Sequence, residues 1–576
     1  MPSRTVAQTL VDGLVRLGVR QVFGVVGDAL NPLTDAIRKR EELEWVGCRH
    51  EEAAAFAAGA QAQLTGTLGV CMGTVGPGSV HLLNGLYDAA KSHAPVLAIA
   101  GQVPLAEAGT DYFQEVDNDL LFRDVAAFRA TVTTPGQLPG LFEVAVRTAV
   151  ARKGVSVLTV PGDVGDADVP DSRPPRFSLA RTSTRPDEPA IREAVELLDA
   201  AGKVTLLVGR GAQSAREDVL ALAERLASPM VLTLKAKEGF EDDNPYEVGQ
   251  TGLIGNPAAA DAMTDADALL LLGTDFPYRE WYPEGKQIVQ VDVAAEHIGR
   301  RAHADVGLVG DVGPTVRALL GHLAPRDDRD HLEKARKRFA GWQENQQRLT
   351  DTTYDDGLAG KVRGTVDNPD RRIRPEALAA AVDRAAADDA VFTSDTGMAT
   401  VWLSRFVRMR GGRRLLGSYN LGSMANAMPQ ALGAQFLDRR RQVVAFCGDG
   451  GLSMLLGDLI TLRTYDLPVK LVVFDNTRLG MVKLEQEEAG LAEFGTGLNN
   501  PDFAAVATAM DITGIRVTDP DELEEAVGRA FATDGPVLLN VLTNPDEIAV
   551  PPQPTVEQGW SFAVARMKGL LRNRND

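Results

Sequence analysis

At 576 residues the chain is too long for one hydrophobic core, and its length calls for three or four domains. Hydrophobic residues at 44% and charged residues at 24% are ordinary for soluble globular protein, while a formal net charge of −19 argues against a nucleic-acid partner. The three cysteines, Cys48, Cys71 and Cys447, are too far apart for a metal-ligand pattern and suggest a reducing compartment. The first residues run into an amphipathic stretch rather than a signal peptide's apolar core, and no run is long enough to span a bilayer. A cytoplasmic location is expected.

Short apolar runs alternate with helical patterns along the whole chain, which predicts parallel α/β domains of the doubly wound class. In the first domain (1–180), strands are expected at 22–26, 69–72, 96–100 and 155–160, with an Ala-rich helix over 52–64. A Pro/Arg/Ser/Thr-rich linker covers 170–189. The second domain (190–345) carries strands at 204–208, 268–272 and 288–291, and a second polar linker follows at 350–374. In the third domain (370–550), strands are expected at 391–393, 443–447, 470–474 and 537–541, and a tail occupies 555–576. No short tandem repeat is visible, although the pattern is compatible with similar first and third domains.

The third domain holds the most informative segment. One strand runs into Gly448-Asp449-Gly450-Gly451, a helix follows, and the next strand ends at Asp475-Asn476. A right-handed crossover makes the two strands parallel, so Asp449 and Asn476 emerge together at the carboxyl edge, where such sheets bind ligands. Glycines there permit close backbone approach to a phosphate. A carboxylate and an amide oxygen suit Mg²⁺, a hard cation that shares its shell with phosphate oxygens. Taken alone, Gly-Asp-Gly is an ordinary turn; the second strand end raises it above that. In the first domain, Arg49-His50-Glu51-Glu52 precedes an Ala-rich helix. Acidic residues in a helix's first turn complement its dipole, which is the plain reading of that pair.

Together these segments resemble the thiamine-diphosphate-dependent enzymes, whose motif is Gly-Asp-Gly followed by Asn-Asn. Here Asp475 stands in place of the first Asn. The resemblance implies Mg²⁺ ligands at Asp449, Asn476 and the main-chain carbonyl of Arg478. The cofactor would be enclosed by Gly450, Gly451 and the run Thr477, Leu479, Gly480, Met481 and Val482. Gly422, Ser423 and Met424 resemble the segment beneath the thiazolium, where an apolar side chain bends the cofactor. Glu51 corresponds to the glutamate that shares a proton with the aminopyrimidine and so generates the C2 carbanion, a general acid/base role.

Over nearly the whole chain the resemblance is strongest to the quinone-dependent pyruvate dehydrogenase branch, also called bacterial pyruvate oxidases. The resemblance implies three domains: pyrimidine-binding, central FAD-binding and diphosphate-binding. FAD would lie along Thr251, Gly252, Leu253, Ile254, then Thr274, Asp275, Phe276, Pro277, Tyr278, and Asp292. Ser214 replaces the third Gly of a dinucleotide fingerprint after Gly209-Arg210-Gly211, so an NAD site is not expected. Phe113 and Gln114 would wall the reacting pocket. Glu485 stands where the similar acetohydroxyacid synthases carry Trp, which favours an oxidase over a carboligase. Leu421, where related oxidases often have His, and Val116-Asp117-Asn118 are departures that bear on strict pyruvate specificity.

The implied activity is oxidative decarboxylation of a small 2-oxo acid, pyruvate to acetate and CO₂. The thiazolium acts as electron sink, and two electrons pass through FAD to a membrane quinone. The alternatives are a carboligase with structural FAD and a catalytically silent binding subunit of the same fold. In the family the pyrimidine and diphosphate domains meet across subunits, which implies a dimer at least and commonly a tetramer. In the tail, Phe562, Met567, Leu570 and Leu571 with Arg566, Lys568, Arg572 and Arg574 could form a short amphipathic helix. Weak membrane contact through that helix, or docking on the protein's own surface, are equal readings.

Overall fold

The computed structural model describes residues 4–170, 175–177, 179, 183–351, 368 and 371–547. Part of the first linker, most of the second and the whole 555–576 tail, with its amphipathic pattern, lie outside the described residues. A two-residue antiparallel pair, β1 (Arg4–Thr5) with β8 (Asp168–Val169), ties the start of the first domain to its end.

Three six-stranded sheets, all parallel, carry the fold. The first contains β2 (Gln21–Gly24), β3 (Glu44–Gly47), β4 (Gly69–Gly73), β5 (Val96–Gln102), β6 (Ala126–Thr131) and β7 (Val155–Pro161), ordered β3-β2-β4-β5-β7-β6. The third contains β15 (Val391–Ser394), β16 (Arg414–Gly417), β17 (Val443–Gly448), β18 (Lys470–Asp475), β19 (Thr513–Val517) and β20 (Val537–Leu542), ordered β16-β15-β17-β18-β20-β19. Counted within each domain these two orders are the same, so the first and third domains share one topology. Between them lies a sheet of β9 (Val204–Val208), β10 (Met230–Leu232), β11 (Glu247–Gln250), β12 (Ala268–Leu272), β13 (Gln287–Asp292) and β14 (Val306–Val309). Its order, β11-β10-β9-β12-β13-β14, reverses direction between β9 and β12, as in dinucleotide-binding sheets.

The first and third domains share a continuous apolar core. At its centre the Ala-rich helix Glu51–Thr65 crosses the helix Ala427–Leu437. Small residues bring the two backbones together: a Cβ added at Gly433 would lie 2.3 Å from the Ala57 carbonyl oxygen. Gln61 Nε2 then donates to the Gly433 carbonyl at 3.2 Å, using a polar group that burial would otherwise leave unpaired. The His50 ring accepts from Glu52 N at the start of the Glu51–Thr65 helix, and Gly66, at φ +68°, closes its end. Among the described residues, no helix is long and apolar enough to cross a membrane.

Candidate active site

In the third sheet Gly448 is paired with Phe474, so Asp449 and Asp475-Asn476 leave their strands side by side. This is one strand from the switch point between β15 and β17, where the chain's crossovers part in opposite directions and leave a crevice. Asp449 is 3% exposed. Its Oδ1 accepts from Gly450 N at 2.9 Å and its Oδ2 from Asn500 Nδ2 at 2.8 Å. Burial, and then the neighbouring Asp475, push the Asp449 carboxyl up to about 7. A bound cation would reverse that balance. Asn476 Oδ1 accepts from Arg478 N at 3.0 Å, which turns the amide oxygen back over its own loop.

The Met424 segment closes the crevice from one side. Gly422 (φ +80°) and Ala425 (φ +66°) bend it, and a Cβ on Gly450 would lie 3.1 Å from Met424 Cε and 3.0 Å from Leu479 Cδ2. An apolar floor therefore stands directly against the Gly-Asp-Gly turn. Gly480 lies beside Asn476, with its Cβ position 2.9 Å from Asn476 Nδ2. Met481 is half-buried, while Val482 is exposed on the helix Gly480–Glu488. So the structure brings Met424, Asp449, Gly450, Gly451, Asn476, Leu479 and Gly480 together.

Glu51 sits elsewhere on the molecule, in the first turn of its helix and 7% exposed. Its Oε2 lies 3.0 Å from His81 Nδ1, and the His81 ring stacks on His50 with centroids 4.3 Å apart. The Gly76-Pro77-Gly78 turn presses on the same carboxylate, since a Cβ on Gly78 would lie 3.1 Å from Glu51 Oε1. Glu52 instead accepts from Asn84 Nδ2 at 2.7 Å, and Asn84 Nδ2 also lies 2.8 Å from Ser423 Oγ. That amide links the first turn of the Glu51 helix to the Met424 segment of the same chain. Gln114, at φ +67°, backs onto Gly76, and Phe113 beside it is 79% exposed. Glu485 is exposed on its helix.

The central sheet gathers a third group at its carboxyl edge. The loops after β9 and β12 meet at the switch point, where a Cβ on Gly209 would lie 2.3 Å from the Gly273 carbonyl. Thr274 Oγ1 accepts from Phe276 N at 3.1 Å, and Phe276 packs edge-on to Tyr278 at 5.6 Å. Gly252, at φ +94°, brings the Thr251-Gly252-Leu253-Ile254 loop onto Phe276. Burial alone would raise the Asp275 carboxyl, but His93, Lys235 and Asn420 outweigh it and hold it at about 2. Asp292 Oδ1 accepts from Ala294 N at 2.9 Å and lies 3.2 Å from His297 Nδ1. Thr251 is 4% exposed, and its Oγ1 has no hydrogen-bond partner among the described residues.

Three further residues belong to this geometry that sequence reasoning did not single out. His81 contacts Glu51 from thirty positions away. Asn500 Nδ2 spans Asp449 and Asp475, 2.8 Å from each. Asp395, at the end of β15, reaches the Gly448 turn. None lies in a motif; each is defined only by folding.

The chain matches three family descriptions in order: thiamine pyrophosphate enzyme, N-terminal TPP binding domain, over residues 4–121; central domain over 191–319; and C-terminal TPP binding domain over 395–541. YdaP of Bacillus subtilis (strain 168), named as a thiamine pyrophosphate-containing protein, is 36% identical, with 100% of this chain and 97% of that one aligned. A pyruvate oxidase of Lactiplantibacillus plantarum is 30% identical across 92% of this chain and 87% of its own. An acetolactate synthase of Mycobacterium bovis is 32% identical across 94% and 88% respectively. On this likeness over almost its full length, and on the topology and site it folds into, the chain belongs to the thiamine-diphosphate-dependent enzyme family.

Proposed function

We propose that this enzyme oxidatively decarboxylates a small 2-oxo acid, pyruvate in the first instance, and delivers the electrons through FAD to a quinone. In balance, pyruvate, water and the quinone yield acetate, CO₂ and the quinol. The observation that carries the reading is the presence in one chain of a buried Glu51, in contact with His81 on the first domain, and of an Asp449–Asn476 oxygen pair beside the switch point of the third sheet.

The residues present fit the groups this needs. Asp449 and Asn476 offer hard oxygen donors suited to Mg²⁺, with the Arg478 carbonyl as the third protein ligand. Gly422 has nothing within 4 Å of its Cβ position, and Met424 and Leu479 line the cradle at Gly450. The orphaned Thr251 Oγ1, in a loop reaching Phe276, fits a polar edge of FAD. When bound, thiamine diphosphate supplies the carbanion and electron sink, and FAD accepts two electrons. Glu51 would hold the proton exchanged with the aminopyrimidine nitrogen, and His81, 3.0 Å away, would orient its carboxylate. Met424 would hold the thiazolium side, Phe113 and Gln114 would help exclude bulk water from the substrate, and Glu485 would face the substrate's side chain.

A second copy of the chain completes this pocket. Val26, Phe113, Leu491 and Phe494 are 61%, 79%, 57% and 74% exposed, which is costly surface to leave in water and suits burial between subunits. Weak contact of the tail with the inner face of the cell membrane would bring the enzyme to its quinone.

The rival reading is a carboligase, favoured by the acetolactate synthase relatives. Products decide between them. Incubation with pyruvate and a quinone or dye acceptor is expected to give acetate and CO₂, with bleaching of a yellow protein under substrate. Acetolactate as the main product, with no flavin reduction, refutes the oxidase reading.

A further inference from the structure

Asp395 is buried, 2% exposed, immediately after β15 at the switch point of the third sheet. Its main chain is fixed: Asp395 N donates to the Phe446 carbonyl at 3.0 Å, and its carbonyl accepts from Thr400 Oγ1 at 2.7 Å. The two carboxylate oxygens are then divided between two segments. Oδ1 accepts from Ala427 N at 2.9 Å, and Oδ2 accepts from Gly448 N at 3.1 Å.

Those donors are not equivalent pieces of scaffold. Ala427 opens the helix that follows Gly422-Ser423-Met424-Ala425-Asn426, and Gly448 opens the turn that carries Asp449. Met424 and that turn are in van der Waals contact range at Gly450. The same strand end grips the Met424 segment twice more, through Thr393 Oγ1 to the Ala427 carbonyl at 2.7 Å and Asn426 Nδ2 to the Ser394 carbonyl at 2.9 Å. Space around the carboxylate is reserved: a Cβ on Gly451 would fall 2.3 Å from Asp395 Oδ2. A carboxylate is the side chain that can accept from both backbone groups at once. An asparagine of the same size offers one oxygen and sets an NH₂ against the other N–H.

We propose that Asp395 is a positioning residue that ties the Met424 segment to the Gly448-Asp449 turn, and so sets the spacing between the cofactor's diphosphate anchor and its apolar wedge. It touches no substrate; it acts through the two segments it holds. This rests on the reading of Met424 and Asp449 as cofactor residues.

The test uses the full-length enzyme reconstituted with thiamine diphosphate and Mg²⁺. Asp395→Asn is expected to weaken cofactor binding, measured calorimetrically, by about ten-fold or more, the scale of leaving one buried N–H donor unpaired. With cofactor saturating, kcat should stay reduced by at least about ten-fold while KM for the 2-oxo acid stays within about two-fold, and C2–H exchange of the bound cofactor should slow in proportion. If that variant does not fold, Gly451→Ala displaces the carboxylate without removing it and is expected to show the same split. Phe392→Leu, a core change on β15, should lower the melting temperature and leave both cofactor affinity and kcat near wild type. Wild-type kcat at saturating cofactor in Asp395→Asn or Gly451→Ala, or an equal loss in Phe392→Leu, overturns the inference. Failure of the wild-type enzyme to bind thiamine diphosphate at all would instead remove the cofactor reading beneath it.

Discussion

Glu51 and Asp449 are both carboxylates drawn almost wholly out of water, and their surroundings suit them to different work. Glu51 lies against the His81 and His50 imidazoles and a glycine turn. Asp449 is held by two N–H donors, an arrangement for a fixed acceptor. Glu51→Gln is therefore expected to retain fold and cofactors and lose nearly all decarboxylation, because an amide cannot exchange the proton. C2–H exchange of bound cofactor, followed by NMR, should slow by orders of magnitude, and an unchanged rate would remove Glu51 from its role. Asp449→Ala should behave otherwise, with activity that returns as Mg²⁺ and thiamine diphosphate are raised. The choice of Glu51 over Glu52 rests on the resemblance; in the fold Glu51 lies against His81 and Glu52 accepts from Asn84.

At the scale of elements, the crossing of helices Glu51–Thr65 and Ala427–Leu437 joins the first domain to the third. Ala and Gly on both faces let backbones approach, and the closeness leaves no room for growth. Gly433→Ala places a methyl against the Ala57 backbone and is expected to cost about 1–3 kcal/mol of stability, as overpacking does. Gly528→Ala is the contrasting case. It lies exposed in the helix Leu523–Ala532 with nothing within 4 Å of its Cβ position, so about 0.5–1 kcal/mol of stabilisation is expected. Denaturant unfolding of the two variants reads both signs. Strands divide in a similar way. The runs expected from sequence became β2, β4, β5 and β7, then β9, β12 and β13, then β15, β17, β18 and β20, every one of them interior to its sheet. Unforeseen were β3, β6, β11, β14, β16 and β19 at the edges, with the three-residue β10. Interior parallel strands are buried on both faces and read as unbroken apolar runs. Edge strands such as Ala126–Thr131 and Thr513–Val517 mix charged and polar residues, so no pattern announces them.

Across the whole molecule, contacts between domains bring ionisable groups into the interior. Glu247, at the start of β11 and 8% exposed, is pushed up to about 7 by burial and by Glu241, against the opposing pull of Lys237 and Arg408. Its folded pKa exceeds its unfolded value, so the native state binds the extra proton. The stability this confers is whole below the ordinary glutamate range and is lost as pH rises through about 7. Glu247→Gln needs no proton. It is expected to match the wild type near pH 4 and to exceed it by on the order of 1–3 kcal/mol near pH 8, read from thermal melts across that range. A gap that narrows as pH rises would contradict the assignment.

Read by itself, the sequence determined the class of fold and all but one of the interior strands, because these are written locally, and its likeness to a family singled out the segments around Glu51 and Asp449. Periodicity reports burial of neighbouring residues, and a Gly-Asp-Gly turn followed by a strand ending in Asn reports one edge of one sheet. The shared topology of the first and third domains, the Asn500 span between Asp449 and Asp475, the His81 contact with Glu51 and the grip of Asp395 on two loops were decided only by the tertiary structure. Each depends on groups far apart in the chain meeting at a strand end or a helix crossing. A hydrogen bond between such groups leaves no trace in the spacing of either one.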